Sequence, residues 1–112
     1  DREYAKSFSN VFIPPEPLNG LDVCHNSKAV ITGAGTFSRE AACMGKKAIS
    51  FYPGKELLGV DKKMISDGMI LHSRNVNEIV EHSLSAHSYK DNLDRSKKVK
   101  LELLAILNEL IR

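Results

Sequence analysis

The stretch V30-I-T-G-A-G-T-F-S-R-E-A-A42 decides the fold. Ala29 to Thr32 is a short apolar run without polar alternation, the pattern of a strand covered on both faces. Gly33 and Gly35 interrupt it, and Phe37, Ala41 and Met44 then recur at i, i+4 and i+7, one face of a helix. Gly45 is placed to end that helix. A strand that runs through glycines into a helix makes an anion site. The first helical amides lack internal partners, and the helix dipole is positive there. Glycines let the backbone approach a ligand closely and tolerate positive φ. The turn predicts nucleotide chemistry, and the rest of the chain decides which kind.

Outward from this unit the pattern repeats. Asn10 to Ile13 reads as an earlier strand, stopped by Pro14 and Pro15. Lys47 to Tyr52 is the next strand, closed by Pro53 and Gly54, and Met69 to His72 is a further one. Helices are expected over about 21–27, then through Leu57, Val60, Met64 and Ile65 to a stop at Gly68. Val76 to Leu84 follows Asn75 and Glu78, which are spaced as a capping box. A long last helix, 93–111, carries Val99, Leu103, Ile106, Leu107 and Leu110 on one side. Ser85 to Asp94 reads as a polar bend. This alternation predicts an α/β, Rossmann-like, three-layer half-domain. It has at least four parallel strands, helices on both faces and a long C-terminal helix. The 112 residues form one domain, with the sheet core and nucleotide site in 10–84 and the C-terminal helix in 93–111.

Composition removes several function classes. A net charge of +2, scattered along the chain, gives no nucleic-acid footprint. No apolar run approaches the roughly 20 residues that span a bilayer, and no signal-peptide pattern opens the chain. Cys24 and Cys43 form no metal-ligand spacing with His25, His72, His82 or His87, so no metal is expected. Two free thiols suit a reducing cytoplasm. The chain does not begin with Met and is read as a piece of a longer protein.

A dinucleotide-binding dehydrogenase is the first alternative, and the residues disfavour it. Its G-x-G-x-x-G/A pattern fits Gly33 and Gly35 but meets Ser38 at the third position. Phe37 stands where short-chain dehydrogenases place a glycine, and the strand ending S50-F-Y-P-G54 carries no ribose-binding acid. No Tyr-x-x-x-Lys pair follows. Glu40 is more informative. It lies four residues after Thr36, on the same helix face, and about 5.4 Å further along the axis. A carboxylate there suits a ribose diol, with a first-turn acid favoured by the dipole as the equal alternative.

With these residues in view, the runs E16-P-L-N-G-L-D22, A29 to A42 and G45-K-K-A-I-S-F-Y-P-G54 resemble the C-terminal domain of the two-domain GT-B glycosyltransferases. The resemblance is strongest to the UDP-N-acetylglucosamine 2-epimerase type, and more narrowly to an archaeal family of predicted glycosyltransferases with no settled reaction. In the epimerase-like pattern a strand runs into T-D-S-G-G, then x-x-E-E-A, then G-K-P. Here Thr32, Gly35, Glu40, Ala41, Gly45 and Lys46 match. Gly33, Ala34, Thr36 and Lys47 replace Asp, Ser, Gly and Pro. The resemblance implies a diphosphate held by Gly33, Ala34, Gly35 and Thr36 and a ribose held by Glu40. It also implies a base lined by Pro15, Glu16, Pro17 and Leu18. The ligand is then UDP or a UDP-sugar, and no cofactor is implied. The acceptor site and catalytic base belong to an N-terminal domain of the parent chain, so this part alone is expected to be inactive.

Other residues carry weaker signals. Lys55 and Ser38 are candidate phosphate or sugar contacts, with a solvated loop lysine as the plain alternative for Lys55. Arg39 is expected to face solvent, and His25 to cap or lie on the surface. An apolar side of the last helix left exposed predicts self-association. The sequence thus leads to the donor-binding part of a metal-independent glycosyltransferase, cytoplasmic or peripheral to a membrane. A sugar-nucleotide epimerase and a non-catalytic nucleotide-binding or interaction module stand as alternatives.

Overall fold

The computed structural model describes residues 1–33, 35–86 and 93–111. Along the chain it has α1 (Arg2–Lys6), α2 (Gly20–Asn26), β1 (Ala29–Thr32), α3 (Gly35–Cys43), β2 (Lys47–Ser50), α4 (Gly59–Ser66), β3 (Ile70–His72), α5 (Val76–Leu84) and α6 (Leu93–Ile111). The strands form one parallel sheet in the order β1-β2-β3. The α/β class and the long last helix follow the sequence reading. The expected strand over Asn10 to Ile13 does not form: those residues lie outside every helix and strand, and Phe12 is 79% exposed. Pro14 and Pro15 cannot extend a ladder past Ile13, and the Val11 amide donates to Phe8 O in a turn instead. The sheet has three strands among the described residues, not four.

Register sets which residues face the core. Val30, Ala48 and Ile70 align across the sheet on one face. They meet Cys24 of α2, Ala41 and Ala42 of α3 and Met64 of α4 in one buried cluster. Alanines at 41, 42 and 48 let α3 sit close to the strands, which dispersion forces reward. Alternation puts Ile31, Ile49 and Leu71 on the opposite face. Ile49 is fully buried there, while Ile31 is 47% exposed. The expectation that β1 is covered on both faces therefore fails at Ile31.

Helix ends follow their sequence signals closely. Gly45 (φ 72°) and Gly68 (φ 74°) both take the left-handed conformation that L side chains avoid. The Lys46 amide donates to Ala41 O and the Gly45 amide to Ala42 O. The Met69 amide likewise donates to Met64 O and the Gly68 amide to Ile65 O. Each is a Schellman closure that turns a helix into the next strand. Asn19 accepts from the amides of Leu21 and Asp22 to start α2. Asn75 accepts from the Glu78 amide to start α5. The reciprocal half of the expected capping box is replaced. The Asn75 amide donates to Ser73 Oγ, and the Ser73 hydroxyl in turn donates to the Glu78 carboxylate.

Lys47 explains one departure from the epimerase-like pattern. Its ammonium donates to the carbonyls of Ser83 and Ser85, at the carboxyl end of α5. A cation there satisfies orphan carbonyls and complements the dipole. This bond ties α5 to β2 on the Ile49 face. Lys47→Met is expected to cost about 1–2 kcal/mol, read as a lower urea midpoint at unchanged slope.

No residue of α6 is buried. Val99, Leu103, Ile106, Leu107 and Leu110 stay at least 43% exposed. The apolar stripe read from the sequence is present, and within the described residues no other element covers it. No helix of the described residues is long and apolar enough to cross a membrane.

Candidate functional site

β1 and β2 end side by side, with Thr32 opposite Ser50, and the Phe51 amide extends the ladder by donating to Thr32 O. The chain leaves β1 at this carboxyl edge, passes Gly33, and enters α3 at Gly35. The helix amino terminus therefore opens at the edge where parallel α/β sheets place their ligands. Ala34 lies outside the described residues.

Beside the turn is a cleft of about 240 Å3. Gly35, Thr36 and Arg39 of α3 line it, with Ser50, Tyr52, Glu56, Leu57, Leu58 and Asp61. It is smaller than the roughly 300–1,000 Å3 of typical whole-ligand pockets. A phosphate- or sugar-sized group fits, and a whole nucleotide would extend beyond it. A larger apolar groove of about 680 Å3 lies between α6 and the far ends of α3 and α4, around Cys43, Met64 and Met69. Cys43 is eight residues from Gly35, about 12 Å along the helix. That groove is the gap under α6 and does not reach the turn.

The glycines have a different purpose from the one their conformational freedom suggests. Gly33 does not have positive φ, and Gly35 is a helical residue of α3. A Cβ on Gly33 would lie 3.0 Å from the Phe51 ring. A Cβ on Gly35 would lie 2.9 Å from Arg39 Nη1 and 3.3 Å from Asp61 Oδ2. A Cβ at either position would have to displace the neighbouring side chain.

Arg39 does not simply face solvent, as the sequence suggested. Its Nη1 is 2.7 Å from Asp61 Oδ1, and the two side chains are only 23% and 12% exposed. Its Nη2 donates to Thr36 Oγ1 at 3.1 Å. Asp61 was not singled out from the sequence. It stands 22 residues away on the next helix, and no local spacing announces the pair.

Glu40 and Phe37 look toward α2 instead. A Cβ on Gly20 would meet the Phe37 ring at 3.3 Å, so the ring packs against the first residue of α2. This is why a bulky residue is accommodated where a dinucleotide turn wants glycine. Burial pushes the Cys24 thiol above its ordinary range, and the nearby Glu40 carboxylate adds to the effect. The Glu40 side chain has no ion pair or hydrogen bond among the described residues. It lies on the side of α3 that faces α2, and α2 follows the loop of Pro15, Glu16, Pro17 and Leu18. All four loop residues are exposed. Ser38 is removed from ligand contact: it is 1% exposed, and its hydroxyl donates to Gly35 O. Lys55 is exposed and does not line the cleft, whereas its neighbour Glu56 does.

The fold is that of a parallel α/β protein, and its candidate site is the glycine turn that opens α3 at this edge. The chain belongs to the family described as "Protein of unknown function (DUF354)", whose profile matches residues 1–111. It is also similar to the "Uncharacterized protein MJ0665" of Methanocaldococcus jannaschii, at 37% identity over 73 residues. That match covers 65% of this chain and 21% of the relative, so the chain spans about a fifth of the curated relative it matches. No solved structure matches it.

Proposed function

We propose that this chain binds the nucleotide-sugar donor, a UDP-sugar, of a GT-B type glycosyltransferase. The observation that carries the reading is the α3 amino terminus, opened by Gly33 and Gly35 beside a small cleft of mixed polar and apolar lining at the carboxyl edge of the sheet. The diphosphate lies at the mouth of the cleft, against the free amides of α3 and the Thr36 hydroxyl. The nucleoside extends toward α2, where Glu40 accepts from the ribose diol and Pro15 to Leu18 flank the base.

The charge inside the cleft suits the sugar better than the phosphate. Arg39 is offset by Asp61, which leaves Glu56 as the unbalanced charge of the lining. A carboxylate repels phosphate oxygens but accepts from sugar hydroxyls. In the parent protein, the amides of α3 take the charge of the departing diphosphate as the glycosidic bond breaks. The acceptor and the base that activates it come from a separate N-terminal domain, so the chain by itself binds without turnover.

The reading is tested by thermal shift with UDP, UDP-sugars, GDP-sugars, CMP-sugars and NAD. UDP at a hundred times its dissociation constant is expected to add roughly 2.7 kcal/mol of stability. Glu40→Ala is expected to weaken UDP about tenfold while leaving pyrophosphate binding unchanged. A response to NAD without one to UDP would overturn the proposal, and an unchanged UDP response in Glu40→Ala would remove the ribose role.

A further inference from the structure

We infer that Arg39 is a positioning residue: anchored by Asp61, it orients the Thr36 hydroxyl as a hydrogen-bond donor to the ligand's diphosphate. The inference rests on the nucleotide-sugar reading above. Four observations lead to it. The guanidinium is fixed from two directions, with Nη1 at 2.7 Å from Asp61 Oδ1 and Nη2 at 3.1 Å from Thr36 Oγ1. Gly35 lacks the Cβ that would displace it. The pair is largely buried, although a buried ion pair of this kind is weak as a source of stability. Gly35, Thr36, Arg39 and Asp61 all line the same cleft.

The hydroxyl chemistry gives the consequence. A threonine oxygen has one proton to donate and two lone pairs. Arginine has only donors, so its bond to Thr36 Oγ1 occupies a lone pair. The Thr36 proton must then point elsewhere. Thr36 is the second residue of α3 and is exposed at the helix opening. A proton directed outward there meets an anionic oxygen held by the helix amides. Polarisation by the guanidinium strengthens that donation, as in other linked hydrogen bonds. Asp61 offsets the charge of Arg39, so the pair supplies direction more than net attraction. It also holds Arg39 in place when no ligand is present, which lowers the ordering cost of binding.

The test is a double-mutant cycle on UDP binding by calorimetry, with uridine as the phosphate-free control. Thr36→Val and Arg39→Lys are each expected to weaken UDP by about tenfold, since lysine cannot reach both partners in one plane. The double variant is expected to be no weaker than Thr36→Val, because Arg39 acts through the Thr36 hydroxyl. Thr36→Ser, which keeps the hydroxyl, is expected to retain wild-type affinity, and uridine binding is expected to stay unchanged throughout. Additive losses in the cycle, or equal losses for uridine, would overturn the positioning role. UDP binding that persists unchanged in Arg39→Lys would overturn it while leaving the nucleotide-sugar reading intact. A wild-type chain that binds neither UDP nor uridine would overturn both.

Discussion

The Gly35→Ala variant is expected to stay folded and yet to lose at least about tenfold in UDP affinity. The added Cβ would lie 2.9 Å from Arg39 Nη1 and 3.3 Å from Asp61 Oδ2. The first contact is the far end of a flexible side chain, so the guanidinium swings away rather than the helix moving. Gly35 is a helical residue of α3, a conformation that alanine favours. Alanine in a helix is favoured over glycine by as much as about 1 kcal/mol, which partly offsets the lost ion pair. Melting temperature and ligand affinity should therefore move independently. A variant that binds UDP as well as wild type would show that the Gly35, Arg39 and Asp61 packing does not shape the site, and one that unfolds would show that folding itself requires glycine there.

Ile49→Ala is expected to destabilise the chain by about 2–5 kcal/mol, the largest stability effect of any single truncation proposed. Ile49 is 0% exposed and is the largest fully buried side chain among the described residues. The other buried apolar residues, Cys24, Val30, Ala41, Ala42, Ala48, Met64 and Ile70, form a small set centred on the opposite face of the sheet. Three of these are alanines, so little other apolar volume compensates. Against a typical domain stability of about 5–15 kcal/mol, the loss brings the chain near its folding threshold. Urea unfolding of the two proteins measures it. A change below about 1 kcal/mol would mean that α5 closes over the cavity and that the face holding Ile49 is loosely packed.

The two variants separate the parts of the structure. Ile49 supports the sheet on the face that α5 covers, and its loss should weaken folding without a specific effect on ligand. Gly35 sits at the carboxyl edge, and its substitution should weaken the ligand without a large effect on folding. Glu40 and Arg39 are adjacent in sequence yet have different neighbours, Cys24 of α2 for one and Asp61 of α4 for the other. Their losses are expected to be distinguishable by whether uridine or only the diphosphate is affected.

Much of the architecture was legible in the amino-acid sequence because its causes are local. Apolar runs and helical spacing located β1, β2, β3 and the helices that follow them. Gly45 and Gly68 marked helix ends because left-handed φ is a property of a single residue, and both take it. Asn75 marked a helix start because its side chain caps an amide three residues on. The failures also had physical causes. Asn10 to Ile13 has strand-forming residues but no neighbouring strand to pair with and two prolines behind it. Val30 and Ile31 looked alike in sequence, but only packing decides that one is buried and the other 47% exposed.

For the site, the sequence by itself determined that a glycine turn would open a helix at a sheet edge, with a carboxylate one turn on. It could not determine why the glycines are there. Only the tertiary structure put Phe51 over Gly33 and the Arg39–Asp61 pair over Gly35, because those contacts join residues from different elements. The same limit hid Asp61, which no spacing links to Arg39 until α3 and α4 pack side by side. It also moved Ser38 from ligand contact to a buried helix bond. Local sequence fixes backbone conformation through sterics and hydrogen-bond reach. Which side chains share a cleft depends on how the helices pack across the sheet.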